Sequence, residues 1–467
     1  MDVEHVVVLM LENRSFDCML GALYPGNPDF DGLDGTQRNI WHKPDGTVQI
    51  VPAWNDPNLT AKTLVIPDPD PGESFKDIAE QIDGGAAHPE PMGGFVDNYM
   101  GQNPGDPSYD PRAVMHYFTP DQVPAISTLA KSFGVCDRWF ASAPNQTWPN
   151  RFFAHTGTAG GFANNSPPHF PYRMETVFNR LSGVGKDWSI YFHDFPQSAT
   201  LARIWPDVTH FKHFEEHFAS DAAAGLLPAY SFIEPRYFAD PLLNKFPNDE
   251  HPPHNVGMAE QLVVSIYNAL RSGAKWGQTL FIITCDEHGG CYDHVPPPAA
   301  TPPDALTPDG IVFDRFGVRV PTVIVSPHVP KGSILRAPGA IPFDHTSIIA
   351  TLRAIHGFEH LTARDRAAPS VLDVLDFGIV NDGPGALPGP RFPSPDPAAV
   401  AAMAAEPPNG LQASLNGAAR ALPPVGAELG VHLDSLARTG VQEIEHGTVA
   451  EAFDGVAENF KSFLSRV

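Results

Sequence analysis

Short apolar runs alternate with stretches of helical periodicity over residues 1–375. Runs of about four to eight residues are typical of strands buried on both faces of a parallel sheet. The predicted strands are His5 to Leu11, Ser189 to Phe192, Ala229 to Glu234, Thr279 to Asp286 and Val320 to Ser326. Alternation of such strands with helices predicts an α/β fold with a mostly parallel central sheet flanked by helices.

Helical periodicity is clearest in residues 256–272, VGMAEQLVVSIYNALRS, where apolar positions recur at helical spacing. This predicted helix leads directly into the strand that begins at Thr279. Further helical patterns at residues 431–436 and 448–464 predict a small helical appendage at the C-terminal end.

The segments between these elements are rich in proline and glycine. Proline accounts for 50 of the 467 residues, about twice the usual frequency of roughly 5%. Residues 37–121 show little periodicity, which predicts a loop-rich insertion within a main domain of residues 1–375. Residues 376–467 are predicted to form a Pro/Ala-rich linker, strongest over residues 383–408, and a helical tail.

Acidic and polar side chains stand where two of the predicted strands end. Glu12 and Asn13 follow the first strand at once, and Asp286, Glu287 and His288 close and follow the fourth. Ligands bind at the carboxyl ends of strands in α/β sheets, and these side chains could together hold a divalent cation. The pattern therefore predicts one composite site, although each acid alone would equally suit a solvated strand end or a helix cap.

A threonine ahead of a predicted helix is a candidate nucleophile. Thr147 lies two residues before Pro149, and proline is favourable in the first turn of a helix. The amides at a helix N-terminus can receive an anion, and a hydroxyl beside a dication can ionise. The local sequence alone favours plain helix capping for Thr147, and Ser142, Thr156 and Thr158 have no better claim to the chemistry.

The net charge of the chain argues against some classes of binding partner. With 54 acids against 30 bases, the formal charge of −24 opposes binding to nucleic acid or to an anionic membrane. The longest apolar runs are about seven residues, whereas a membrane span needs about 20, so no stable membrane insertion is expected. The acidic start MDVEH does not resemble a secretory signal, so we expect a cytoplasmic protein, or a secreted one if the chain is trimmed at its N-terminus.

Four cysteines are too few for a disulfide scaffold in a chain of this length. Cys285 and Cys291 are close enough in sequence to bridge the loop that follows the fourth strand. Small buried thiols are the favoured interpretation, because the spacing matches no zinc-finger pattern.

Six motifs, in order along the chain, resemble those of one enzyme family. They are ENRSFD at 12–17, QTWPNRFFAHTGT at 146–158, NDEHPPHN at 248–255, DEHGGCYDHVPPP at 286–298, GVRVPTVIVSP at 317–327 and FDHTSIIATLRAIHG at 343–357. The set resembles the bacterial and plant phosphoesterase family, which includes non-specific phospholipases C and related acid phosphatases. The resemblance covers nearly all of residues 1–375 and implies the sheet architecture of the alkaline phosphatase superfamily.

This resemblance implies a metal site built from Glu12, Asn13, Thr147, Asp286 and Glu287. The Thr147 hydroxyl would both bind the metal and attack phosphorus. Oxygen-rich ligands suit one divalent ion, and Ca, Mg, Mn, Fe and Zn all remain candidates.

The resemblance also implies groups that contact the substrate. Asn150 would donate a hydrogen bond to a phosphoryl oxygen, and His251 would protonate the leaving oxygen or stabilise the transition state. His88, His193 and His288 are further candidates for substrate binding. A plain surface or loop position is an equal alternative for His88 and His193, and a role in orienting a carboxylate ligand is the alternative for His288.

The implied reaction is metal-dependent hydrolysis of a phosphate ester through a covalent phosphothreonine. The expected substrate is a phospholipid or small-molecule phosphodiester, cleaved as by a phospholipase C; an acid phosphatase acting on soluble monoesters is the alternative. A sulfatase is disfavoured, because the formylglycine pattern C/S-X-P-X-R is replaced by QTWPNR. A catalytically silent protein that binds a phosphoryl ligand or metal is the remaining alternative, disfavoured because no matched position is missing.

Overall fold

An eight-stranded sheet runs through the centre of the protein, whose computed structural model describes residues 3–388, 396–439, 441 and 447–466. The strands of the described residues are β1 (His5–Leu11), β2 (Arg38–His42), β3 (Val48–Pro52), β4 (Gly134–Cys136), β5 (Trp139–Phe140), β6 (Trp188–Phe192), β7 (Phe211–His213), β8 (Tyr230–Glu234), β9 (Thr279–Cys285), β10 (Thr322–Val325), β11 (Ser333–Ile334) and β12 (Phe343–Asp344). The central sheet has the order β11, β4, β10, β9, β1, β8, β6, β7. Only β10 runs antiparallel to its described neighbours, β9 and β4, so the sheet is mostly parallel.

Helices flank this sheet. Those of the described residues are α1 (Phe16–Leu20), α2 (Phe75–Asp83), α3 (Phe95–Gln102), α4 (Pro124–Ser132), α5 (Thr147–Thr156), α6 (Val177–Gly183), α7 (Phe214–Ala224), α8 (Val256–Ser272), α9 (Thr346–His356), α10 (Ala363–Ala367), α11 (Pro397–Ala404), α12 (Gly410–Arg420), α13 (Leu429–Thr439) and α14 (Val449–Leu464). Helix α8 packs against α4 and α7, and α5 packs against α9. The predicted α/β fold with a mostly parallel sheet and flanking helices is confirmed.

The predicted strands occur with small changes at their ends. β1 and α8 have the predicted bounds, and β9 ends at Cys285, one residue earlier than predicted. β10 begins only at Thr322, because Pro321 has no N–H to donate within the sheet. All seven residues of β9 are buried, as its unbroken apolar run indicates.

The insertion at residues 37–121 contains more regular structure than its sequence predicts. It holds the hairpin β2–β3 and the helices α2 and α3, which share a small apolar core around Ile78, Phe95 and Tyr99. These elements are only five to nine residues long, so their periodicity is hard to detect among the prolines and glycines. The sequence does contain one local signal for a helix here, the capping box that Ser74 and Asp77 form at the start of α2.

The C-terminal helices share one hydrophobic core with the sheet. Phe460 of α14 packs edge-on against Phe192 and Phe195, with ring centroids 5.1 and 5.3 Å apart. The Gln412 side chain of α12 donates a hydrogen bond to the Tyr237 carbonyl oxygen (2.8 Å). The predicted helical tail is therefore packed against the main domain, while part of the predicted linker, residues 389–395, lies outside the described residues.

The four cysteines are buried and free. The thiols of Cys285 and Cys291 are therefore not bridged, in agreement with the favoured interpretation. Among the residues that the structure describes, no helix combines the length and the apolar character that a membrane span requires.

Candidate active site

β1 and β9 are neighbouring parallel strands that end side by side. Leu11 lies opposite Cys285 in their register, so Glu12 and Asp286 leave the sheet at the same edge. The Asp286 N–H donates to the Leu11 carbonyl oxygen (3.1 Å), and the Asn13 N–H donates to Asp286 Oδ1 (3.1 Å). The structure thus brings the two acidic strand ends into one buried cluster.

A tight turn at Asn13 shapes this cluster. Its φ of +53° is in the left-handed region, which asparagine tolerates better than most residues. Its Nδ2 donates to Glu73 Oε1 (2.6 Å), whereas its Oδ1 is buried without a hydrogen-bond partner among the described residues. A side chain on Gly289 would collide with the Asn13 backbone, so this glycine lets the loop after Glu287 close over the turn.

Thr147 is the first residue of α5, and its hydroxyl faces the acidic cluster. Its Oγ1 donates a hydrogen bond to Glu12 Oε2 (3.3 Å). The N-cap residue is Gln146, so Thr147 does not have the capping role that the local sequence favours. With no exposed surface, Thr147 is held inside the protein beside Glu12.

Asn150 organises the loop that precedes Thr147. Its Oδ1 accepts the Ala143 N–H (2.9 Å), and its Nδ2 donates to the carbonyl oxygens of Ala143 (3.1 Å) and Asn145 (2.7 Å). Both ends of the amide are therefore occupied by the backbone that positions the start of α5. Contact between Asn150 and a phosphoryl oxygen stays a prediction.

Arg151 follows Thr147 by one helical turn and carries the positive charge of the cluster. Its buried guanidinium lies 2.6 Å from Glu12 Oε1, 3.3 Å from Glu234 Oε2 and 3.3 Å from Asp286 Oδ2. One cation therefore faces three carboxylates. The sequence motifs contain Arg151 without singling it out, although its i+4 spacing from Thr147 on a helix was an available signal.

The carboxylates of the cluster are short of positive charge. Burial raises the pKa of Glu12 well above its usual value; Arg151 opposes this rise, and Asp286 adds to it. Burial also raises the pKa of Glu287, and the nearby Glu73 and Asp286 raise it further. Such shifts mark carboxylates whose negative charge is poorly balanced, as is common at functional sites.

His288 is held against Glu287. One ring nitrogen, Nε2, lies 2.8 Å from Gln81 Oε1, and the other lies 3.3 Å from Glu287 Oε2. Burial lowers the pKa of His288 to about 3, so the ring is neutral near pH 7. This arrangement favours a role in orienting Glu287, and substrate contact by His288 stays a prediction.

The insertion adds a second cluster beside the first. His251 Nε2 lies 3.3 Å from Glu73 Oε1, and His251 Nδ1 lies 3.8 Å from Asp70 Oδ1. Burial lowers the pKa of His251, but the Asp70 and Glu73 carboxylates outweigh burial and hold it above its usual value. Because Glu73 also accepts the hydrogen bond from Asn13, the two clusters are joined.

An open pocket of about 470 Å³ reaches this second cluster. Glu73 and His251 line it together with Gln146 from the loop before α5 and Leu411 from α12. The pocket thus ends at the residue that precedes Thr147. A ligand in this pocket would contact His251 and Gln146, and Gln146 is the residue before Thr147 in the sequence.

His193 and His88 lie elsewhere. His193 Nδ1 is 2.8 Å from the Glu234 carbonyl oxygen, and its ring stacks on Phe214 in a separate pocket. His88 is exposed and stacks on His42, with ring centroids 3.6 Å apart. Neither ring is brought against Thr147 by the contacts of the described residues, so their substrate-binding roles stay predictions.

A separate ion-pair network supports the loop after β9. Arg319 contacts Asp17 and Asp293, each at 3.0 Å, and His294 Nδ1 lies 2.6 Å from Asp17 Oδ2. Burial lowers the pKa of His294, but hydrogen bonds to Asp17 and Asp31 raise it to about 10. Arg319 and His294 both supply positive charge to these acids, which favours a structural role for the network.

The first cluster is rich in buried oxygen atoms. Asn13 Oδ1 and Glu287 Oε1 are buried oxygen atoms without a hydrogen-bond partner among the described residues. Carboxylate, amide carbonyl and hydroxyl oxygens are ligands that hard cations prefer. Arg151 can balance only one of the carboxylate charges. The donor atoms are thus of the kind that hard cations prefer, and metal binding by the first cluster stays a prediction. Among the described residues, the ligand atoms of Asp70, Glu73 and His251 in the second cluster lie within 4.8 Å of one another, close enough to hold a metal ion.

Known proteins are similar in sequence to most of this chain. The Phosphoesterase family model matches residues 3–359. Non-specific phospholipases C1 and C3 of Arabidopsis thaliana are 37% and 38% identical to the chain, over 78% and 80% of it and 69% and 73% of their own lengths. Phospholipase C B of Mycobacterium tuberculosis is 29% identical, over 85% of this chain and 80% of its own.

Solved structures align with the chain at low scores. An alkaline phosphatase superfamily protein from Vibrio parahaemolyticus aligns with a TM-score of 0.31 and 12% identity, over 53% of this chain and 64% of its own. A putative sulfatase from Bacteroides thetaiotaomicron aligns with a TM-score of 0.34 and 12% identity, over 54% and 68%. The sequence matches decide the assignment: the chain belongs to the phosphoesterase family, as a hydrolase of phosphoric ester bonds.

Proposed function

We propose that the protein hydrolyses phosphodiesters by a phospholipase C-like reaction in which Thr147 is the nucleophile. The observation that carries the proposal is the hydrogen bond from the Thr147 hydroxyl to Glu12 Oε2, inside a buried cluster of acids at the start of α5. The relatives named phospholipase C support a diester rather than a monoester as substrate.

In this proposal Glu12, Asn13, Thr147, Asp286 and Glu287 hold one divalent cation. When bound, such a cation lowers the pKa of a coordinated hydroxyl and offsets negative charge on a phosphoryl group. The unpartnered oxygens of Asn13 and Glu287 support this assignment, because a buried polar atom without a partner is costly unless a ligand satisfies it.

The Thr147 oxygen attacks phosphorus, so that a bond forms between them while the bond from phosphorus to the leaving alcohol breaks. The hydroxyl already donates toward Glu12 Oε2, which sets the direction in which its proton leaves. Water then attacks the same phosphorus atom while the bond from phosphorus to the Thr147 oxygen breaks. His251 takes a proton from the attacking water, the Thr147 oxygen recovers the proton that it gave toward Glu12, and the phosphorylated headgroup is released. The reaction is thus covalent catalysis in two steps.

His251 protonates the departing alcohol oxygen in the first step. It lines the pocket, and its pKa lies above the usual value because Asp70 and Glu73 outweigh the effect of burial. A histidine whose pKa is raised by neighbouring carboxylates suits a general acid. Glu73 and Asp70 are therefore assigned as positioning residues that also hold the charge of the imidazolium.

The pocket volume of about 470 Å³ lies within the usual range for small-ligand sites, roughly 300–1,000 Å³. A phosphorylated headgroup fits such a space, with its phosphorus toward Gln146 and Thr147. Because Thr147 has no exposed surface, side chains between it and the pocket must move when the diester binds.

Hydrolysis of p-nitrophenylphosphorylcholine and p-nitrophenyl phosphate, measured side by side, tests this proposal. Each assay is run after chelation and again with single divalent metals restored, using the wild-type protein, Thr147→Ala and the exposed control Thr307→Ala. Metal-dependent preference for the choline diester, lost only in Thr147→Ala, is expected. Preference for the monoester would replace the diester assignment by a phosphatase, and equal activity of Thr147→Ala would exclude Thr147 as the nucleophile.

A further inference from the structure

Two consecutive leucines stand out on the surface of the protein. Leu242 is 94% exposed and Leu243 is 62% exposed. Single exposed apolar residues are ordinary on a protein surface. Two adjacent leucines at the tip of one loop form a small apolar surface instead, and such a surface calls for an explanation.

The loop that carries these leucines is an ordered turn. The Asp240 and Lys245 backbones exchange two hydrogen bonds, each of 2.9 Å, which close the turn at its base. The N–H groups of Leu242 and Leu243 both donate to Asp240 Oδ1, at 2.9 and 3.0 Å. The leucine tip, residues 241–244, is thus held in place by hydrogen bonds that satisfy the N–H groups of both leucines.

The base of the leucine tip lies at the same sheet edge as the candidate active site, while Asn244 and the adjacent Lys245 line the pocket beside His193. The loop that carries the tip begins after β8 and ends at Asn248. The Asn248 N–H donates a hydrogen bond to the Arg236 carbonyl oxygen (3.0 Å). The next residue, Asp249, accepts the Glu12 N–H on its carbonyl oxygen (2.7 Å). Both ends of this loop therefore lie beside the acidic cluster.

We propose that Leu242 and Leu243 insert into the surface of a zwitterionic phospholipid bilayer and hold the active-site edge against it. This inference rests on the proposed phospholipase C-like function, because the substrate of such an enzyme lies in that surface. The formal charge of −24 favours a zwitterionic over an anionic surface. A protein partner of ordinary affinity would need about 800 Å² on each side, which a tip of four residues does not supply.

The expected contribution of the leucine tip follows from apolar burial. One leucine transferred from water to an apolar environment strengthens binding by roughly tenfold or more, so removal of both is expected to weaken vesicle binding by roughly 100-fold. Substitution by serine leaves the backbone bonds to Asp240 in place. The folded state is therefore expected to be unaffected.

Co-sedimentation of the full chain with phosphatidylcholine vesicles tests the inference. The measurements use the Thr147→Ala background, so that turnover does not consume the vesicles, and compare Leu242→Ser/Leu243→Ser with Leu226→Ser. Leu226 is 67% exposed but lies between α7 and β8, at the opposite edge of the sheet. Thermal unfolding of each variant shows whether it is folded.

Loss of vesicle binding by roughly 100-fold in the double variant, with Leu226→Ser unchanged, is the expected result. The inference would be overturned if the Thr147→Ala parent and both leucine variants bound the vesicles equally, or if none of them bound. It would also be overturned if sedimentation velocity showed that the protein self-associates through the leucine tip. Hydrolysis of water-soluble p-nitrophenylphosphorylcholine by chains with Thr147 intact is measured separately. Lack of this hydrolysis would contradict the proposed function. The role of the leucine tip is decided by the vesicle-binding measurement alone.

Discussion

The Thr147 hydroxyl lies 3.3 Å from Glu12 Oε2, although the two residues belong to different elements. Glu12 follows a central strand of the sheet, and Thr147 opens a helix at the carboxyl edge of that sheet. Arg151, one turn along the same helix, fixes the other oxygen of Glu12 at 2.6 Å. This pairing places the proposed nucleophile and the acids of the predicted metal site in one buried cluster.

The predicted metal ligands can be tested by binding. Glu287→Gln removes one negative charge and replaces a carboxylate oxygen by an amide, so divalent cation affinity is expected to fall by at least roughly tenfold. Isothermal titration with Mg, Ca and Mn measures the change. The matched control is Glu216→Gln, whose side chain is 71% exposed; unchanged affinity in both variants would remove Glu287 from the ligand set.

Arg151 is expected to be needed for folding as well as for the site. Arg151→Met leaves Glu12, Glu234 and Asp286 without their buried counter-charge, and we expect a loss of roughly 3–5 kcal/mol in the free energy of unfolding. Urea unfolding of the metal-free protein measures it. Arg138→Met is the control, because the pair of the half-exposed Arg138 with Asp31 contributes at most about 1 kcal/mol. Similar losses in the two variants would contradict the account of the cluster.

The general-acid role of His251 predicts a dependence on the leaving group. His251→Ala is expected to slow hydrolysis of an alkyl phosphodiester by roughly 100-fold or more, because an alkoxide leaves poorly without a proton. Hydrolysis of the p-nitrophenyl ester should fall much less, since nitrophenolate needs no proton. The control is His217→Ala, at an exposed position. Equal losses with both esters would argue that His251 only positions other groups.

The His294 network predicts a specific dependence of stability on pH. Since the pKa of His294 rises from 6.5 to about 10 on folding, its stabilisation is fully present below pH 6.5 and is lost as the pH rises toward 10. His294→Gln should therefore destabilise by roughly 2–3 kcal/mol at pH 6 and by little near pH 10. Unfolding free energies of the wild type, His294→Gln and the more exposed control His360→Gln, measured across this range, check the trend. A difference that grows with pH would contradict it.

The main strands and the meeting of Glu12 with Asp286 follow from sequence because the signals are strong and local. β1 and β9 are unbroken apolar runs, and each ends abruptly in acids. Parallel neighbours in register must deliver their next residues to one edge of the sheet. The position of Thr147 at the start of α5 is also close to expectation, because Pro149 marks the first turn of that helix.

Sequence patterns could not identify Glu73 and Asp70 as residues of the candidate site. They lie in a proline-rich segment without periodicity, and only the folded insertion brings them to His251. The contribution of Leu411 to the pocket is equally hidden, because α12 reaches the sheet through non-local contacts such as that of Gln412 with Tyr237. The places of His88 and His193 likewise depend on tertiary packing that single residues in loops do not reveal.

The most direct measurement of the central claim is the stereochemical course of hydrolysis at phosphorus. A single diastereomer of a phosphorothioate analogue of the choline diester is hydrolysed in ¹⁸O-labelled water, and the configuration of the product is determined. Attack by Thr147 followed by attack of water is two displacements, so the account predicts net retention. Net inversion would show one direct displacement by water and would contradict the phosphothreonine intermediate.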